Sequence, residues 1–185
     1  MKIRKRIAID MDGVLADTES HYISWYLQHH GIAVDPATLI GQPEGHGFPD
    51  RQAVERFLHT AGFFRTLPVM QDAQEVVLAL SVNYEIFVVS AAMEFPLSLS
   101  EKREWLAEHF PGIGWRHLVF CGDKSIIDAD YMIDDHLKNL DVFKGKTLLF
   151  NAAHNSHATG HERVQNWKGV QAFFNRELAG ASSAA

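Results

Sequence analysis

The sequence contains a single cysteine, Cys121, among its 185 residues, so an intrachain disulfide is impossible. Such sparing use of cysteine favours a reducing compartment, and we expect a cytoplasmic protein. Long apolar stretches are also missing, since only Ile7, Ala8 and Ile9 separate the basic start MKIRKR from the first acid. This is too short for a secretory signal, and no run approaches transmembrane length. We therefore expect neither a leader peptide nor a membrane anchor.

Positive charge is scarce as well. The 17 Lys and Arg residues are outnumbered by 23 Asp and Glu, and the formal net charge is −6. A nucleic-acid polymer is bound through an excess of cations, so this balance argues against such a partner and favours a small-molecule ligand. The length suits one domain, with or without a modest insertion, that buries its core without disulfides or structural metal.

Five short apolar runs predict buried strands. Their apolar residues follow one another without interruption, rather than alternating with polar ones, which is typical of a parallel sheet covered on both faces. Amphipathic patterns between most of them predict helices, and this alternation indicates an α/β fold with right-handed crossovers. The runs are RIAID (6–10), EIFVVS (85–90), HLVFC (117–121), YMIDD (131–135) and KTLLFN (146–151), and the helical patterns cover 72–81, 100–110 and 166–178.

One stretch, residues 18–70, interrupts the alternation. It shows helical patterns in ESHYISWYLQHHG and RQAVERFLHTAG, joined by the Gly/Pro-rich GQPEGHGFPD, and no convincing strand. Open α/β sheets bind ligands beyond the carboxyl ends of their strands, so a helical insertion here is expected to cover that site. We predict a core of residues 1–17 and 71–180, a helical cap of residues 18–70, and a tail of residues 181–185.

Two carboxylates, Asp10 and Asp12, stand directly after the first predicted strand. A calcium loop of the EF-hand type would need Gly and Glu at its sixth and twelfth positions, which are here Leu15 and His21. A solvated turn rarely needs two acids immediately after a buried strand. We therefore interpret the pair as functional.

The other strand ends carry polar groups too. The fourth strand ends in Asp134 and Asp135, the second in Ser90, and the third is followed by Lys124. Because the carboxyl ends of parallel strands meet at one edge of a sheet, we expect all these groups to converge with the first pair of acids.

Four carboxylates in one cleft repel each other unless a cation joins them. Magnesium, a hard ion that takes oxygen ligands and substrate phosphate, is the natural choice. Lys124 and Ser90 add a positive charge and a hydroxyl that suit phosphate oxygens. The pattern thus predicts a phosphoryl-transfer site in which Asp10 attacks phosphorus and Asp12 acts as general acid and base.

These residues match a known family. DMDGVLAD resembles the first motif of the haloacid-dehalogenase (HAD)-like phosphatases, and Ser90, Lys124 and the acids at 134–135 fall where its other motifs belong. Longer segments resemble the 5′(3′)-deoxyribonucleotidase family over most of residues 7–157. They are GFF (62–64), SEKREWLAEHF, DKSIIDADYMIDD (123–135) and LLFNAAHNSH (148–157).

The resemblance implies a Rossmann-like, HAD-like core with a small helical cap after the first strand, and Mg²⁺ as cofactor. It also implies a role for each motif residue. Asp10 would be the nucleophile and a metal ligand, and Asp12 would be the acid/base and bind the metal through its backbone carbonyl. Asp135 would be the second carboxylate ligand, with Asp134 supporting it. Ser90 and Lys124 would hold the phosphate, and Phe48 would contact the base. Ala91 and Pro49 depart from the family pattern, which expects a second serine and an aromatic pair.

The expected function is magnesium-dependent hydrolysis of (deoxy)nucleoside monophosphates through an aspartyl-phosphate. Alternatives are a phosphatase for a sugar phosphate or another small metabolite, a receiver-like signalling domain, and a catalytically dead partner-binding relative. Base preference, the 5′ or 3′ position and the oligomeric state, a homodimer included, are left open. Lys102 and Arg65 are interpreted as surface residues, although a nucleotide site could recruit either one. A zinc site at His154, His157 and His161 is not favoured, because no helix connects them and Thr159-Gly160 indicates a loop.

Overall fold

The computed structural model describes residues 4–183, and within them six strands form one sheet in which every pairing is parallel. Five of the strands lie in the five predicted runs, which confirms the predicted α/β class. The sixth is a three-residue edge strand with a single buried side chain, too short to give a pattern. The strands are β1 (Arg6–Ile9), β2 (Glu85–Ser90), β3 (Leu118–Phe120), β4 (Tyr131–Asp134), β5 (Lys146–Phe150) and β6 (Glu162–Val164), in the order β3-β2-β1-β4-β5-β6.

Helices cover both faces of this sheet. They are α1 (Thr18–His30), α2 (Arg51–Phe57), α3 (Ala73–Ser81), α4 (Ser98–His109), α5 (Leu137–Leu140) and α6 (Trp167–Ser183). Helix α6 runs beyond its predicted end at residue 178, because the segment that follows is rich in alanine and contains no proline. The last two residues of the predicted tail lie outside the described part of the chain. None of the helices described is long and apolar enough to cross a membrane.

Strand β1 occupies the centre of the sheet and sets the position of the site. Ile9, the last residue of β1, is in register with Val88 of β2 and with Ile133 of β4, so the three strands end within two residues of one another. Ile7 and Ile9 belong to the larger apolar cluster on one face, and Ala8 belongs to the cluster on the other. Burial of both faces accounts for the continuous apolar runs in the sequence.

The chain between β1 and α3 is helical, with α1 and α2 and two short 3₁₀ turns, and contributes no strand to the sheet described. An isolated antiparallel bridge between Ala16 and Val69 ties together the points where this segment leaves and rejoins the core. Its interior is aromatic, since Trp25 packs on Phe57 and Phe63 with ring centroids 5.5 and 5.1 Å apart. The assignment of this segment as a separate cap remains a prediction.

Candidate active site

The turn after β1 holds Asp10 at the carboxyl edge of the sheet. The Asp10 backbone N–H donates to the Ile133 carbonyl at 2.9 Å, which continues the β1–β4 ladder by one residue. Its carboxylate accepts a hydrogen bond from the Met11 N–H at 2.7 Å. Gly13 follows with φ +70°, and a side chain there would collide with Asp135 Oδ2. This glycine therefore lets the turn after β1 approach the end of β4 closely.

Lys124, which follows β3, lies between two acids. Its Nζ is 2.7 Å from Asp10 Oδ1 and 2.7 Å from Asp134 Oδ2, and all three side chains are buried. Burial alone would lower the pKa of the Lys124 ammonium, but the two carboxylates outweigh it and raise that pKa. Asp134 also accepts hydrogen bonds from the Asn139 amide at 3.0 Å and the His136 N–H at 2.9 Å. Its oxygens are thus engaged within the protein, as a supporting residue requires.

Asp10, Asp134 and Asp135 each offer a carboxylate oxygen within 4.8 Å of the others. Among the carboxylate oxygens here, Asp12 Oδ1 and Asp135 Oδ1 are buried without a hydrogen-bond partner among the described residues. Burial raises the pKa of Asp10 to about 7 and that of Asp135 well above its usual range. Carboxylate oxygens buried this close together, two of them without a hydrogen-bond partner, fit a divalent cation such as Mg²⁺.

Asp12 and Ser90 are joined by a residue that the sequence interpretation placed on the surface. Lys102 of α4 is only 2% exposed; its Nζ forms an ion pair with Asp12 and donates a hydrogen bond to Ser90 Oγ at 3.0 Å. The surface assignment of Lys102 is therefore wrong. The signal was present, because Trp105 and Leu106 follow three and four residues later and place Lys102 on the apolar face of its helix.

A cavity of about 380 Å³ opens above these groups. Asp10, Asp12, Lys102 and Lys124 line its floor. Its walls include apolar and charged side chains from α1, from α2 and the segments on either side of it, and from the chain after β2 and β4. The apolar and aromatic ones are Tyr22, Val54, Leu58, Phe64 and Phe95, and the charged ones are Glu44, Arg51, Glu55, Glu94, His136 and Lys138.

Phe48, the predicted base contact, is not among the residues that line this cavity. It is 8% exposed and packs against Tyr22 and Tyr26, with ring centroids 6.3 and 5.3 Å apart. It borders instead a smaller cavity of about 40 Å³. The loop that carries Phe48 turns it into the aromatic interior because that burial removes apolar area from water.

Histidines near Asp135 are committed to hydrogen bonds. His154 Nε2 lies 3.0 Å from the Asp135 carbonyl oxygen, and His136 Nε2 lies 3.1 Å from Glu44 Oε2. Burial alone would lower the pKa of His136, but Glu44 and the nearby acids outweigh it and raise that pKa to about 9. His161 bonds Thr147 and Asp141 instead.

Comparison with known proteins places this geometry in a family. The profile of the family described as "5' nucleotidase, deoxy (Pyrimidine), cytosolic type C protein" matches residues 4–178. The chain belongs to the 5′(3′)-deoxyribonucleotidase family. It is 37% identical to the 5′(3′)-deoxyribonucleotidase of Bacillus subtilis over 169 residues, which cover 91% of this chain and 98% of that protein. A Staphylococcus epidermidis protein, provisionally given the same name, is 44% identical over 173 residues, covering 93% of this chain and 97% of that protein.

Solved structures agree on the fold of this family member. A haloacid-dehalogenase-like hydrolase from Streptococcus pneumoniae superposes with a TM-score of 0.60 at 12% identity, covering 94% of this chain and 100% of that one. The predicted family, the HAD-like fold and the enzyme class of phosphoric monoester hydrolase are thereby confirmed. The receiver-like alternative is wrong.

Proposed function

We propose that this protein is a magnesium-dependent phosphatase that hydrolyses the phosphomonoester of (deoxy)nucleoside monophosphates through an aspartyl-phosphate on Asp10. The observation that carries the proposal is the meeting of three strand ends at one edge of the sheet. There Asp10, Asp134 and Asp135 lie within 4.8 Å of one another through their oxygens, beside the buried ammonium of Lys124. Relatives over nearly the whole chain named as deoxyribonucleotidases support it.

Asp10 and Asp135, with the backbone carbonyl of Asp12, are the groups that would hold the cation. When bound, Mg²⁺ neutralises the converging carboxylates and the charge on the phosphate oxygens. The protein's own cations act beside it. Lys124 and Lys102 both line the cavity, and Ser90 Oγ is within hydrogen-bond distance of Lys102. These groups are suited to hold phosphate oxygens in place.

The reaction then takes two steps. In the first, a carboxylate oxygen of Asp10 bonds to phosphorus as the ester P–O bond breaks, and Asp12 gives a proton to the departing alkoxide. In the second, Asp12 takes a proton from a water that attacks the phosphorus, and the P–O bond to Asp10 breaks to release inorganic phosphate. The contact of Asp12 with Lys102 keeps its carboxyl directed at the cavity floor.

The cavity supports a substrate larger than a phosphate group. Its volume of about 380 Å³ falls within the range of small-molecule sites, about 300–1,000 Å³. Phe95 and Leu58 offer apolar contact to a base, whereas Arg51 and Glu55 on α2 offer hydrogen bonds. The same charged side chains suit sugar hydroxyls, and this is what favours a sugar phosphate as the second candidate.

A phosphate-release assay separates the two substrates. The panel contains deoxyribonucleoside and ribonucleoside monophosphates with the phosphate at the 5′ or the 3′ position, and hexose phosphates, each with Mg²⁺ and with EDTA. We expect the highest kcat/KM on a deoxyribonucleoside monophosphate and no release in EDTA. Faster turnover of a hexose phosphate would favour the second candidate, and full activity in EDTA would contradict the metal-dependent mechanism.

The raised pKa values of the acids predict how pH acts on the metal-free protein. Burial raises the pKa of Asp10 to about 7, above its unfolded value, so the folded state binds more protons than the unfolded state between about pH 4 and pH 7. In EDTA, protonation of Asp10 therefore stabilises the folded state at low pH, and this stabilisation is lost as pH rises through 7. Thermal unfolding followed by circular dichroism should show that stabilisation by Mg²⁺ grows from pH 5.5 to pH 8, since the cation competes with those protons. A metal-induced shift that is the same at both pH values would contradict this.

A further inference from the structure

Asp135 lies beyond the end of β4, and its carboxylate is poorly anchored by its own contacts. Its Oδ1 is buried without a partner, and its Oδ2 lies against the backbone of Gly13, 3.7 Å from His154 Nε2. What fixes the direction of this side chain must therefore act on the Asp135 backbone. That backbone is held by the loop of residues 151–158, which follows β5.

Two side chains of this loop donate to the carbonyl of Asp135. His154 Nε2 lies 3.0 Å and Asn155 Nδ2 lies 2.8 Å from that oxygen. The Asn155 amide also donates to the Phe150 carbonyl at 2.8 Å. The β4–β5 ladder ends at the pair Asp134 and Leu149. The next residue of each strand is Asp135 or Phe150, and the Asn155 amide donates to both of their carbonyls. It holds the two strand ends at a set separation.

The Asn155 side chain is itself locked. It is 4% exposed, and its Oδ1 accepts hydrogen bonds from the Ala152 N–H at 3.2 Å and from Arg163 Nη1 at 2.7 Å. The Arg163 guanidinium, on β6, also donates to the Asn155 carbonyl at 2.8 Å, the Ala158 carbonyl at 2.9 Å and Asn151 Oδ1 at 2.9 Å. This fork closes the loop on itself and leaves the Asn155 amide with a single orientation.

We infer that Asn155 and His154, braced by Arg163, are positioning residues that set the metal affinity of the site by fixing the backbone of Asp135. The inference rests on the proposed function, because it takes Asp135 as a cation ligand. None of the three touches the large cavity, so their effect on substrate contacts is expected to be small. Groups that orient a metal ligand typically change metal affinity or activity by about 10- to 100-fold when removed.

The decisive experiment measures metal binding without substrate. Mn²⁺ binding to the full chain is followed by loss of the free-ion electron paramagnetic resonance signal, since Mn²⁺ accepts the same oxygen donors. Asn155→Leu should raise the Mn²⁺ dissociation constant by about 10- to 100-fold. The Mg²⁺ concentration for half-maximal rate should rise in parallel, while KM for the substrate at saturating Mg²⁺ stays unchanged. A folded Asn155→Leu protein with the Mn²⁺ affinity of the parent would overturn the inference.

A second pair of variants covers the case in which Asn155→Leu does not fold. His154→Leu should weaken Mn²⁺ binding, whereas His154→Gln, which retains an N–H donor at that position, should restore it. Equal Mn²⁺ affinities in these two folded variants would overturn the role of His154. Asn166→Ala is the control for general destabilisation, because Asn166 accepts a hydrogen bond from the Gly169 N–H at 3.0 Å in α6 and lies outside the loop. It should leave Mn²⁺ binding unchanged. Failure of the unmodified protein to bind Mn²⁺ would contradict the proposed metal site itself, and the inference with it.

Discussion

Replacing Asp10 with asparagine should lower kcat by about 10⁴-fold or more, because the amide cannot attack phosphorus and no other carboxylate occupies its place after β1. The fold should survive the change. Lys124 keeps Asp134 as an ion-pair partner at 2.7 Å, and the substitution removes a carboxylate whose pKa burial raises to about 7. In EDTA at pH 8, the thermal midpoint of the variant should therefore equal or exceed that of the parent.

The two measurements are phosphate release under substrate saturation and thermal unfolding by circular dichroism. Asp128→Asn serves as the matched control, since Asp128 is an exposed acid on the segment that precedes β4. It should change neither quantity. An Asp10→Asn protein that is folded and retains a few per cent of the parental rate would exclude the covalent mechanism.

The second large effect is expected from Lys124→Met, which removes the cation between Asp10 and Asp134. Breaking a buried ion pair by deleting one partner costs about 3–5 kcal/mol, because the remaining charge is left buried and uncompensated. In EDTA the loss should be greater at pH 8 than at pH 5, because Lys124 holds down the pKa of Asp10 and its removal raises that pKa further. It should shrink at pH 5, since Asp10 is then protonated in both folded proteins and needs no counter-ion. Phosphate release should be lost at every pH.

Urea unfolding at the two pH values, in EDTA, measures this effect directly. The matched control is Lys138→Met, because Lys138 is an exposed lysine that borders the same cavity without a buried partner. Its stability should match that of the parent at both pH values. A Lys124→Met protein that loses the same stability at pH 5 and pH 8, or none at pH 8, would contradict the assignment of Lys124 as the buried counter-ion.

The sequence interpretation was least informative where a contact distant in the chain decides the place of a side chain. Lys102 was interpreted as a surface residue because lysine is seldom buried without a partner, and its partner Asp12 is 90 residues away in the chain. Phe48 was expected at the substrate because of the loop it occupies, and that role stays a prediction, but the rings of Tyr22 and Tyr26 are what fix its place. In each case the deciding contact lies in another segment, and no local pattern reports it.

The histidines His154, His157 and His161 also show that residues close together in the chain can have different partners. Three histidines within eight residues could be taken for a metal site, and the sequence argued against it from the lack of a connecting helix and from the loop indicated by Thr159-Gly160. In the structure His154 turns to the Asp135 carbonyl, while His161 turns to Thr147 and Asp141. Asn155 of this segment, which we infer to position Asp135, was not singled out, since an isolated asparagine in a loop has no periodicity.

The sequence by itself determined the properties that depend on residues close together in the chain. Continuous apolar runs specify strands buried on both faces, and the spacing of Asp10, Asp12 and Gly13 specifies a tight acidic turn at the end of the first strand. Only the tertiary structure decided which lysine faces which acid, where Phe48 lies and what holds Asp135. Those facts are distances between segments far apart in the chain, and they arise when the sheet brings its strand ends to one edge.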